Sequence, residues 1–227
     1  MWLDRQDRLI GAEASARLAE ARFAVIGLGG VGGSAAEALV RCGIGSLFLM
    51  DGDVFDETNL NRQILCTRES IGLPKTEQAE KRARAINPDC NVTAVCDWLD
   101  QDTVGLLAAF RPDCVIDAVD RVTAKLIIIE WCRDSGVHVV SSMGTGNRTD
   151  AGSFRIGDIS DTAGCGDPLS RIMRRELRAR GIESLDVLYA EDPPVRTGDR
   201  TPSSISFVPP VAGYLIAGYA VRHFLGL

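Results

Sequence analysis

Residues 23–53 read FAVIGLGGVGGSAAEALVRCGIGSLFLMDGD, and the way this stretch divides decides the fold. Residues 23–26 are a short apolar run suited to a buried parallel strand, residues 34–41 have helical character, and residues 47–50 form a second apolar run. Between the first strand and the helix, Gly27, Gly29 and Gly32 stand at the G-x-G-x-x-G spacing, with Gly30 as an extra glycine. Without side chains the backbone turns sharply, and a phosphate reaches the N–H groups at the helix N-terminus, where the helix dipole favours negative charge. Asp51, at the end of the second strand, is placed to accept hydrogen bonds from a ribose. Glycines at this spacing also serve as plain structural turns. With strand, helix and acid in register, the stretch predicts a bound adenine nucleotide.

Around this unit, 227 residues suffice for one α/β domain with a full core and are too few for two ordinary ones. One domain over residues 1–227 is expected, with residues 147–227 as a C-terminal elaboration. The net charge of −6 argues against wholesale coating of nucleic acid but says nothing about local basic patches. Seven scattered cysteines with no C-x-x-C pair fit reduced thiols in a cytoplasmic protein and offer no zinc-ligand pairs. Residues 1–11 are charged, unlike a secretory signal. The C-terminal PVAGYLIAGYAVRHFLGL is apolar for only about a dozen residues before Arg222 and His223, short of the ~20 that span a bilayer. A buried helix started by Pro209 and Pro210 is expected there, and no membrane association.

Further along, helices are predicted over residues 76–86, 103–110 and 122–134, and strands over 92–95, 114–116 and 137–141. This order implies a Rossmann-like, mostly parallel sheet with helices on both faces and right-handed crossovers. Beyond Gly146 the reading is a strand over 153–159, a helix over 168–180, a strand over 187–190, a loop, and a strand over 204–208 before the last helix.

A dehydrogenase and an ATP enzyme can share the opening unit, so the discrimination lies elsewhere. The loop after Asp53 runs for more than twenty residues, a length that is usually functional. It carries Asn59, Asn61, Arg62 and Gln63, with Lys75 following. Hydride transfer needs no such cation cluster, whereas displacement at an α-phosphate needs charge neutralised on the departing pyrophosphate. Arginine supplies a forked donor and lysine a point charge. A solvated loop is the bland alternative. In CVIDAVDR, Asp117 and Asp120 fall at the carboxyl end of a strand, where ligands of open sheets bind. Magnesium on ATP needs one or two carboxylates and keeps several waters. Asp120, further out of the strand, is the candidate ligand for Mg2+; Asp117 is as readily a capping or packing residue.

The segment DPLSRIMRRELRARGI reads as a helix with Asp167 as N-cap and Pro168 in its first turn. Leu169, Ile172, Met173 and Leu177 form its apolar face. Arg171, Arg174, Arg175 and Arg178 form a basic stripe beside it. Such a stripe suits an RNA backbone and equally suits a solvated face. Cys165, just before this helix, invites reading as a nucleophile, but neither His138 nor His223 is placed in sequence as its base.

Taken in order, GLGGVGG, the acid of MDGD, NLNRQI, GLPK, INP and DAVD resemble the ubiquitin-activating-type adenylating enzymes, a group that includes bacterial activators of sulfur carriers. The resemblance implies that the glycine loop and Asp51 hold ATP, that Asn59, Arg62 and Lys75 contact its phosphates, and that Asp120 ligates magnesium. It also implies that Arg5 reaches the phosphates of a neighbouring subunit, hence a homodimer. Sulfur-carrier activators of the group usually carry two C-x-x-C pairs, which are missing. Instead SSMGTGN, the segment 167–182 and SISFVPPVAGYLIAG resemble the branch that dehydrates threonylcarbamoyladenosine in tRNA. That branch implies adenylation of the threonyl carboxylate, followed by ring closure on a nucleophile within the substrate, with tRNA as partner. Adenylation of a ubiquitin-like sulfur carrier is the alternative, and a sulfur-transfer accessory protein is a further candidate partner. An NAD-binding module or redox enzyme is the reading from a different class.

Overall fold

The computed structural model describes residues 2–199 and 201–227. Helices α1 (Asp4–Ile10) and α2 (Ala12–Glu20) precede a chain that alternates β1 (Arg22–Ile26), α3 (Gly30–Arg41), β2 (Ser46–Met50), α4 (Lys75–Ile86), β3 (Asn91–Val95), α5 (Gly105–Phe110), β4 (Cys114–Asp117), α6 (Val122–Ser135) and β5 (His138–Ser142). The tail adds β6 (Phe154–Asp158), α7 (Pro168–Ala179), β7 (Asp186–Ala190) and α8 (Val208–Leu225). The seven strands form one sheet in the order β3-β2-β1-β4-β5-β7-β6. All neighbours are parallel except β6, which runs antiparallel to β7 at the edge. The expected mostly parallel α/β sheet is therefore present, and the tail extends it.

The period of two along β1 sorts its side chains between two layers. Phe23 and Val25 join a core with α3, α4 and α8, while Ala24 and Ile26 pack with Leu107 and Phe110 of α5 and Ile128 and Cys132 of α6. Alternate residues of a strand face opposite sides, so a strand apolar on both faces needs helices on both. On α7, Met173 and Leu177 are fully buried against α6 and Val187, as its apolar face predicts.

The predicted strand over 204–208 is absent. Those residues form an open segment and a turn, and α8 starts at Val208. Two prolines at positions 209 and 210 cannot donate to a sheet ladder but sit well in a first helical turn, where N–H groups lack partners anyway. Among the described residues no helix is long and apolar enough to cross a membrane.

Candidate functional site

The carboxyl ends of the central strands open into a cleft of about 950 Å³. Its floor is the glycine turn. Gly27 has φ +88°, and a Cβ there would lie 2.7 Å from the Ala118 carbonyl oxygen. A Cβ on Gly32 would fall 1.8 Å from the Gly27 oxygen. Gly32 thus packs beneath the loop and does not line the cleft, whereas Gly27, Gly29 and Gly30 do. The first-turn N–H groups of α3 have no helical acceptor and face a space suited to an anion.

Asp51, at the tip of β2, is buried; its Oδ2 accepts from Leu28 N at 2.6 Å and its Oδ1 from Asp53 N at 2.8 Å. The carboxylate braces the glycine loop and, since each oxygen has a second lone pair, keeps acceptor capacity toward the cleft it lines. The long loop folds as two short 3-10 turns, Glu57–Asn59 and Arg68–Ser70, and brings Asn59, Arg62 and Gln63 to the cleft wall. Asn59 Oδ1 accepts from Asp56 N at 3.2 Å, closing a capping box. Hydrogen bonds from Thr58 hold the neighbouring Asp56 carboxyl below its ordinary value. Arg62 donates to Thr58 O and Asn61 Oδ1, at 2.8 and 3.0 Å. Lys75, the buried first residue of α4, pairs with Asp53 at 2.8 Å. These cations sit beside the glycine turn, where a polyphosphate would lie.

The two acids of the DAVD segment separate. Asp117 is wholly buried, 3.0 Å from Lys125 Nζ and 2.6 Å from the donating Ser141 Oγ. Lys125 also donates to Ser142 O at 2.7 Å. Asp117 is thereby a packing residue, tying α6 to β4 and β5. Asp120 is exposed on the cleft and has no partner among the described residues, so its carboxylate is available to a cation. Lys125 was missed at the sequence level; the signal is one lysine within the apolar run VTAKLIII. Another omission is Trp98, half-exposed at the cleft rim with the Arg121 guanidinium 4.8 Å from its ring centroid.

The opposite wall belongs to the tail. Residues 144–147 after β5, the N-terminus of α7 and residues 201–204 all line the cleft. Asn147 fastens them: its Oδ1 accepts from Ser203 N at 2.6 Å and its carbonyl from Val195 N at 2.7 Å. Asn61 of the long loop donates to Ser204 O at 3.0 Å, so the two walls meet. Asp167 caps α7 through Leu169 N and Ser170 N and also accepts from Gly144 N at 3.1 Å.

The remaining candidates lie off the cleft. Arg5 is exposed on α1. Of the α7 stripe, Arg174 is bonded to Thr162 and Arg175 pairs with Glu176 at 2.7 Å, while Arg171 and Arg178 are exposed with no partner among the described residues. Cys165 is buried and does not line the cleft. All seven cysteines are free thiols, and burial pushes Cys90 up to about 11.

Comparison with known proteins places this geometry. Over 97% of its length the chain is 35% identical to a tRNA threonylcarbamoyladenosine dehydratase of Bacillus subtilis, covering 93% of that protein. It is 40% identical to the Escherichia coli protein of the same name over 76% of this chain and 63% of that one. The crystal structure of the Escherichia coli dehydratase in complex with ATP superposes with a TM-score of 0.91 at 33% identity, covering 98% of this chain and 93% of that chain. The ThiF family model matches residues 3–227, and the chain belongs to the ThiF family.

Proposed function

We propose that this chain is an ATP-dependent dehydratase acting on threonylcarbamoyladenosine in tRNA, with residues 1–227 working as one adenylating domain. The observation that carries the reading is the meeting of a glycine-lined helix N-terminus, Arg62, Lys75 and an Asp120 with no partner among the described residues in one cleft. That combination suits a triphosphate, whereas a nicotinamide dinucleotide has no use for the extra cations. Relatives named for this activity cover nearly the whole chain, and one is solved with ATP.

In this reading the α3 N-terminus and Asp51 hold the nucleotide, and Asn59, Arg62 and Lys75 bind the phosphates. The substrate carboxylate attacks the α-phosphate, pyrophosphate departs against the cations, and an acyl-adenylate results. A carbamoyl atom of the substrate then displaces AMP and closes the ring, so no enzyme thiol is required; the burial of Cys165 agrees with that. Asp120 would hold Mg2+, which neutralises phosphate charge when bound. A single exposed carboxylate fits an ion that keeps most of its waters, and Asp117, committed to Lys125, is not free to share it. The tail wall, opposite the glycine turn, is where the modified nucleoside would enter.

The surface supports a homodimer as part of the same reading. Exposed Phe207, Val211, Tyr214 and Leu215 form an apolar strip at the start of α8. A second copy of the chain covering that strip would give the homodimer in which Arg5 reaches a neighbouring cleft. A tRNA substrate is in keeping with a cytoplasmic location, and a sulfur-transfer accessory protein is a further partner to test.

The deciding experiment is mass spectrometry of tRNA nucleosides after incubation with purified protein and ATP. Conversion of threonylcarbamoyladenosine to a product lighter by one water is expected. Pyrophosphate exchange stimulated by a carrier protein with a Gly-Gly end, and not by modified tRNA, would instead favour the sulfur-carrier reading.

A further inference from the structure

The two histidines of this chain, His138 and His223, are far apart in sequence yet stack face to face, with ring centroids 3.5 Å apart and planes 12° apart. They meet at the end of the sheet remote from the nucleotide cleft. His138 begins β5, Asp186 begins the adjacent β7, and Tyr219 and His223 lie one turn apart on α8. None of the four lines the cleft.

His138 Nε2 is buried without a hydrogen-bond partner among the described residues. The nearest carboxylate oxygen, Asp186 Oδ2, is 3.7 Å away, too far for a hydrogen bond. Two donors sharing one tetrahedral ion at bonds of ~2.0–2.1 Å lie roughly 3.3–3.4 Å apart, close to that separation. Donor atoms of His138, His223 and Asp186 all fall within 4.8 Å of one another. Tyr219 donates its hydroxyl proton to Asp186 Oδ2, the arrangement that orients a ligating carboxylate.

We propose that His138, His223 and Asp186 form a binding site for a divalent transition-metal ion of the zinc type, fastening the last turns of α8 to β5 and β7. Two imidazole nitrogens with one carboxylate suit Zn2+, Co2+ or Ni2+, whereas Mg2+ and Ca2+ demand oxygen donors. The site is therefore distinct in chemistry from the Asp120 position. An imidazole lone pair lies in the ring plane, so a shared ion requires one ring to leave the stack. His223 is the exposed partner and supplies that rotation; His138 is held by its strand. Three protein ligands leave the fourth position to water on the His223 side.

The test uses the full-length protein, stripped with EDTA and dialysed against Zn2+ without nucleotide. Bound zinc is counted by elemental analysis and the melting temperature is followed. One zinc per chain is expected, with Tm raised by roughly 5 to 10 °C at a hundredfold excess over Kd. His223→Gln and, separately, His138→Gln should each lose both the ion and the shift. Tyr219→Phe should keep the site with affinity weakened about 10- to 100-fold. No binding by the unaltered protein, or binding that survives either histidine change because thiols carry it, would overturn the assignment. His223→Gln alters an exposed side chain, and its circular dichroism confirms that loss of zinc is not loss of fold.

Discussion

Asp117 and Lys125 form an ion pair 3.0 Å apart in which both side chains are entirely shielded from water. The carboxylate is further satisfied by Ser141 Oγ and Val119 N, and the ammonium by Ser141 Oγ and Ser142 O. Removing one partner strands a buried charge, which costs about 3 to 5 kcal/mol. Lys125→Met should therefore lower the unfolding free energy by that amount in urea titrations. Combining it with Asp117→Leu should recover part of the loss, because the orphaned charge is gone. A single variant as stable as the parent would show that the pair does not hold the sheet.

The glycines of the nucleotide turn separate by experiment. An added Cβ at Gly32 collides with the Gly27 oxygen at 1.8 Å, whereas at Gly29 the nearest atom is 4.0 Å away and φ is −73°, open to any residue. Gly32→Ala should lower Tm by roughly 5 °C or more. Gly29→Ala should leave Tm near the parent value but weaken ATP binding, since its methyl group would stand in the cleft. Calorimetric titration beside thermal melts reads both effects, and equal melting behaviour of the two variants would refute the distinction.

How much of this was legible beforehand depends on the range of the interactions. The β1–α3–β2 unit is local, so period, glycine spacing and the acid at Asp51 located it with no partner information. Asp120 follows from its position at a strand end, a rule of topology, and Arg62 from the charge and length of the loop after Asp53. The Asp117–Lys125 pair needed knowledge of which strand lies beside which, and a lysine in an apolar run was the only trace. The 204–208 segment is not a strand because the prolines behind it start a helix, leaving an open segment and a turn before Val208. The His138–His223 stack has no local signature at all.

For the cleft cations, charge placed where it develops in the transition state is the relevant quantity. Arg62→Ala and Lys75→Ala should each cut pyrophosphate exchange roughly a hundredfold or more. Arg62 is half-exposed, so its loss should leave the fold intact. In Lys75→Ala the orphaned Asp53 is half in solvent, so the stability cost should stay small. Unchanged turnover in both variants would remove the phosphate assignment.

Acid should reveal the Asp158 carboxylate. Burial raises its pKa, but hydrogen bonds from Ser160, Ser184 and Leu185 outweigh that and bring it to about 2. A carboxyl depressed on folding stabilises the protein above its unfolded value, near 4, and loses that contribution as pH falls toward 2. Asp158→Asn should accordingly melt lower than the parent at pH 7, with the gap narrowing between about pH 4 and pH 2. A gap independent of pH would assign the effect to packing alone.

The α7 stripe offers a test of where RNA lies. Arg174 is tied to Thr162 and Arg175 to Glu176, so the stripe's side chains without a partner among the described residues are Arg171 and Arg178. Each phosphate contact contributes close to one unit to the slope of log affinity against log salt, somewhat less on single strands. Arg171→Ala with Arg178→Ala should weaken tRNA binding and flatten that slope by roughly two. Arg175→Ala should alter it less, because its charge is already answered by Glu176 3.1 Å from Nε. Filter binding across a salt series reads the slope directly. If the double variant gives the parental slope, the helix faces solvent and the tRNA backbone must be tracked by other cations.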